Sequence, residues 1–93
     1  LTEENLNDKI EVVNKWNIQV RNATIIKKDG VELTRSFNRK VIVPGTLDAS
    51  DNLIETTISG EDSDVQAICN AAWTDQVKAD YKAFLIANKS NTP

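Results

Sequence analysis

Between residues 16 and 43 the apolar positions recur with a period of two. Trp16, Ile18 and Val20 alternate with Asn17, Gln19 and Arg21, which is the pattern of a half-buried β-strand. The strand continues through Ile25 and Ile26 to Asp29-Gly30, a pair suited to a type I′ turn because both central residues need positive φ. The return strand runs from residue 31 to residue 43 and is stopped by Pro44-Gly45. A two-residue turn sets Ile26 opposite Leu33, Asn22 opposite Phe37, Ile18 opposite Val41 and Trp16 opposite Val43. It gathers the large apolar side chains, all but Ile25 and Ile42, on one face. The other face carries Lys27 across from Glu32 and Gln19 across from Lys40, as a wet surface should. A three-residue loop scatters the same residues and is rejected. Arg35 and Arg39 fall on the apolar face in this register, which predicts either a bulge near residues 36–39 or an interface there. Residues 9–13 read as a further short strand, with a bend at Asn14-Lys15.

Residues 44–62 are the least patterned: Leu53, Ile54 and Ile58 stand among Asp, Ser, Thr and Asn, so a loop with one short strand is expected. The period then changes. Val65, Ile68, Cys69, Ala72 and Trp73 form one stripe of a helix, and Val77, Tyr81, Phe84 and Leu85 form a second stripe out of phase with it. Thr74 is the natural N-cap between them, giving helices over residues 64–73 and 75–87, although one bent helix would also fit. Ser63 with Gln66 has capping-box spacing, and Asp62 and Asp64 suit a helix start. The expected fold is α+β in a single domain over residues 1–93: a long antiparallel hairpin with a short extra strand, packed against two C-terminal helices. Trp16, Ile18, Phe37 and Val41 are expected to form its covered face. Residues 1–8 and 88–93 are expected to fray.

Composition changes this picture in two ways. Ninety-three residues support only a modest core, so burial between copies would be a natural supplement. The formal charge of −3 also conceals an asymmetry, since residues 15–43 sum to +5 and residues 44–64 to −6. Adjacent blocks of opposite sign suit self-pairing more than they suit a surface tuned to nucleic acid. Arg21, Arg35, Arg39 and Lys40 on the hairpin, with Asp48, Asp51 and Glu55 in the acidic stretch, are therefore the candidate interaction residues. Arg35 and Arg39 are expected to face the acidic segment of a neighbouring copy.

Candidate chemistry is sparse. The chain has no His and one Cys, which removes His-based triads, an internal disulfide and a Cys-x-x-Cys pair. Cys69 lies on an apolar helical stripe and reads as a packing residue. The acids from Asp48 to Asp64 lack the ligand spacing and central Gly of a calcium loop. No phosphate-cradling Gly-rich loop and no Gly-x-Ser-x-Gly elbow occurs. No enzyme activity, cofactor or metal is expected, and no apolar run approaches the length of a membrane span. The alternative reading is a weak nucleic-acid-binding module built on the basic hairpin, with Phe37 stacking a base.

Three stretches carry a resemblance: Ile18-Gln19-Val20-Arg21 with Asp29-Gly30, Arg35-Ser36-Phe37 with Pro44-Gly45, and Val65-Gln66-Ala67-Ile68 with Trp73-Thr74. Together they resemble small proteins of unassigned function from marine (cyanophage-like) bacteriophages and ocean metagenomes, over most of residues 10–85. Relatives often carry a His after the hairpin Phe, where this chain has Asn38. The resemblance implies no activity. It implies a viral origin, with a non-catalytic, self-associating structural or assembly protein as the expected function. The expected partners are further copies of the chain and other virion proteins, in the virion or the host cytoplasm, and neither nucleic acid nor a membrane.

Overall fold

The computed structural model describes residues 1–89 and has the α+β architecture. Three twelve-residue strands, β1 (Thr2–Val13), β2 (Asn17–Lys28) and β3 (Val31–Ile42), form an antiparallel sheet in the order β1-β2-β3. A small hairpin of β4 (Gly45–Leu47) and β5 (Leu53–Glu55) follows, then α1 (Ser63–Ala72) and α2 (Asp75–Lys89). The Asp29-Gly30 turn is one its residue types favour, while the turn at Asn14-Lys15 puts a lysine where positive φ is uncommon. Asp29 and Gly30 both have positive φ, 53° and 78°, and so do Asn14 and Lys15 between β1 and β2, 56° and 74°. The second pair closes a hairpin rather than a simple bend. β1 is a full partner of β2 along residues 2–13, so residues 2–8 are strand and not a frayed end. At the other end α2 runs to Lys89, and residues 90–93 lie outside the described residues.

The expected hairpin register holds only beside the turn, where Lys27 faces Glu32 and Lys28 faces Val31. A bulge at Leu33, rather than near residues 36–39, then shifts the pairing to Ile26–Thr34, Asn22–Asn38 and Ile18–Ile42. One extra residue flips every later side chain of β3 to the opposite face. Ile42 thereby joins Ile18 and Val20 on the covered face, while Phe37 and Val41 turn outward at 41% and 56% exposure. The core consists of Ile18, Val20 and Ile42 from the sheet against Val65, Cys69 and Trp73, with Ile10, Ile58, Ile68, Ala72 and Val77 at its margin. Trp16 packs elsewhere, against Tyr81 and Phe84 of α2 at ring-centroid distances of 5.4 and 5.2 Å. Its carbonyl accepts a 2.8 Å hydrogen bond from Trp73 Nε1, which joins this aromatic cluster to the core.

Two helices meet at Thr74 as expected, and its hydroxyl accepts the Val77 N–H at 3.2 Å. The capping box at α1 does not form. Asp62 is the N-cap residue, and Gln66 Nε2 donates to the Glu61 carbonyl at 2.7 Å instead. The Asp62 and Asp64 carboxylates accept hydrogen bonds from Asn7 of β1, pinning the start of α1 to the sheet. The molecule is elongated, with principal extents of 56 × 30 × 21 Å. Its radius of gyration is 17.2 Å, against about 12 Å for a compact chain of this length. The excess comes from the sheet, whose Asp29-Gly30 half projects beyond the helices as an arm.

Candidate interaction surface

The bulges at Leu33 and Asp8 decide which side chains share the outward face of the sheet. Across the three strands that face carries Leu6–Ala23–Phe37 and Glu4–Ile25–Arg35, with Arg21 and Arg39 beside them. Ala23 and Ile25 are buried even though no helix lies over this face, because the central strand is roofed by the side chains of its neighbours. The bulge turns the Asp8 carboxylate toward Arg21. Arg21 Nε and Nη2 donate to its two oxygens at 2.9 and 2.7 Å, and the guanidinium lies 4.4 Å above the centroid of Phe37. This bidentate pair with a cation–π contact fixes both Arg21 and Phe37. Arg35 makes a similar two-point contact with Glu32, at 3.2 and 2.8 Å. Arg39 forms no ion pair among the described residues, and with Arg21, Lys9, Gln19 and Val41 it lines a shallow groove of about 260 Å³. Lys40 points to the covered face and pairs with Glu61 ahead of α1.

The structure thus brings Arg21, Arg35 and Arg39 together with Phe37 and places Lys40 on the reverse side of the same strand. The candidate acids lie apart from them. Asp48 folds back on its own loop, accepting the N–H groups of Ser50 and Asn52 at 2.8 and 2.9 Å. Asp51 pairs with Lys89, and Glu55 with Lys78, so both carboxylates tie the β4–β5 hairpin to α2. The acids expected to meet a neighbour's arginines therefore already have partners within the chain. The partners that sequence reasoning missed are Asp8 and Leu6, both in the segment expected to fray, and Glu32. Spacing could have found none of them, since residues 32 and 35 of an unbroken strand point to opposite faces and only the Leu33 bulge brings Glu32 to Arg35.

The charge pairs shift titration in a consistent direction. Arg21 holds the Asp8 carboxyl below its ordinary range by hydrogen bonding, Arg35 does the same to Glu32, and the Asn52 and Ser50 N–H groups lower Asp48. Burial pushes the Cys69 thiol and the Tyr81 hydroxyl upward. A carboxyl lowered on folding contributes stability above its unfolded pKa, near 3.9 for Asp, and loses it as pH falls through the lower folded value. Stability should therefore be flat from neutral pH down to about 5 and fall below it. Asp8→Asn should flatten that acid limb in urea titrations taken at successive pH values, whereas an unchanged acid limb would contradict the assignment.

No helix among the described residues is long and apolar enough to cross a membrane. No group of three or more potential metal-ligating side chains occurs among them. No protein-family model matches the chain, and neither a curated protein nor a solved structure is similar to it.

Proposed function

We propose that this chain is a non-catalytic, self-associating structural or assembly protein. The observation that carries the reading is the projecting arm: a three-stranded sheet with no helix over its outer half. Leu6, Val31, Leu33 and Phe37 are all exposed there, and eleven of the twelve residues of β3 are exposed. An unbacked sheet with long open edges is a poor end state for a lone small domain and a ready template for another strand. The electrostatics favour the same reading, since the arm's arginines are oriented by neighbours and Arg39 is left over. In the setting that the sequence resemblance implies, the assembly would be a bacteriophage particle or an intermediate in building one.

Light scattering coupled to gel filtration tests this directly. Against a monomer mass of 10.3 kDa, the expected result at micromolar concentration is a discrete multiple. A 10.3 kDa species at both low and high salt would overturn the proposal.

A further inference from the structure

We propose that two copies join edge to edge through β3, antiparallel about a two-fold axis at Asn38. Residues 34–42 of each pair with the same residues of the other in one six-stranded sheet. The proposal rests on the self-association reading and adds the surface and its register. Among the described residues, β3 has a strand partner on one side only, and no backbone hydrogen bond joins it to any segment but β2. The other open edge, β1, is interrupted at its centre by the Asp8 bulge, whereas β3 runs without a bulge from residue 34 to residue 42. Bulges blunt an edge, so β3 is the edge left competent to pair.

The register follows by elimination. In an antiparallel sheet alternate residues of an edge strand turn their N–H and C=O groups outward. A two-fold ladder must therefore centre on a residue, not between two. Centred on Phe37, it would set Arg35 opposite Arg39 on both sides of the axis. Centred on Arg39, it would set that guanidinium against its own copy. Centred on Ser36, it would run into bulged Leu33. Centred on Asn38, it uses the whole straight run and places no like charges directly opposite. Arg39 then lies against Phe37 of the second copy, whose ring is already bounded on one side by Arg21 and is 41% exposed. Asn38 faces Asn38, an amide pair in which each can donate to the other. The pairing is isologous and closes at a dimer. It gathers the arginines of both arms, so added salt should strengthen it, the reverse of a contact between basic and acidic segments.

Cysteine scanning reads the register. The native thiol, Cys69, is fully buried and does not compete. Across the axis the two Asn38 Cα atoms should be about 5 Å apart, and the two Thr34 Cα atoms about 26 Å apart. Asn38→Cys should then oxidise to a covalent dimer about tenfold faster than Thr34→Cys. Because strand pairing can hold a disulfide off its preferred geometry, nitroxide labels at the same two positions supply a second measure. Strong dipolar broadening is expected at 38 and none at 34. A dimer mass with equal behaviour at 34 and 38 in both measurements would overturn the β3 register while leaving self-association standing. A dimer that dissociates on adding salt, or masses that grow past the dimer, would also overturn it. A monomer throughout would remove both proposals.

Discussion

Trp73→Ala should lower the unfolding free energy by about 3–5 kcal/mol, against a total of about 5–15 kcal/mol for a small domain. Two losses combine. Trp73 is 7% exposed and closes the end of the core formed by Ile18, Val20, Ile42, Val65 and Cys69, so its truncation opens a cavity where three segments meet. Its indole N–H is also the donor to the Trp16 carbonyl, the tie between the core and the Trp16–Tyr81–Phe84 cluster. Urea unfolding followed by circular dichroism should show a sharply lower midpoint with little change in slope. Trp73→Phe keeps much of the volume and loses the hydrogen bond, so it should fall between the two. A loss for alanine under about 1 kcal/mol would mean that the helices contribute little to holding the sheet.

The second large effect is expected at Gly45, where backbone approaches backbone. A Cβ built there would lie 3.1 Å from both the Ile54 carbonyl carbon and Leu53 Cδ1, and would overlap the Ile54 carbonyl oxygen. Because the obstacle is mainly main chain, β4 and β5 must separate to admit a methyl group. Overpacking of this kind costs about 1–3 kcal/mol. The damage should be local first: the Thr56 N–H, bonded to the Pro44 carbonyl at 2.8 Å, should lose protection from hydrogen exchange in Gly45→Ala. Gly60→Ala is the matched control. Nothing lies within 4 Å of its added carbon, and reduced freedom of the unfolded chain should leave it neutral or more stable by up to about 1 kcal/mol. Equal effects at the two glycines would contradict the close approach of β4 to β5.

The elements that could be read from sequence were those whose signal is local. Asp29-Gly30 marks its turn through backbone sterics alone, and Thr74 divides the helices because a hydroxyl there can accept an N–H three residues on. The core stripe Val65, Cys69, Trp73 follows from helical spacing. What stayed hidden depended on partners. β1 is exposed on both sides of the arm, so it has no reason to alternate, and its acids and asparagines looked like a frayed end. The Leu33 bulge carries no motif of its own. Its trace was the pair of misfits in an unbroken register, arginines facing inward with Ile42 left out, and one extra residue resolves both. It is the Leu33 bulge that puts Arg21 on one face with Arg35 and Arg39, because beyond it residues of like parity in β2 and β3 stand opposite each other. The acidic half of the candidate site does not hold, since block charge says nothing of which cation an acid reaches, and Lys78 and Lys89 are nearer.

The order of elements along the chain has a consequence for biosynthesis. β1, β2 and β3 are joined by tight turns, so the sheet can form from local contacts as soon as residue 42 has left the ribosome. Most of the residues that cover Ile18, Val20 and Ile42 lie from Val65 onward, with Ile58 ahead of them. For the time it takes to synthesise that interval, the nascent sheet presents an uncovered greasy face together with its open edges. Expression yield should therefore depend on how quickly α1 follows, and slow codons between residues 43 and 64 should be more damaging than the same codons after residue 73.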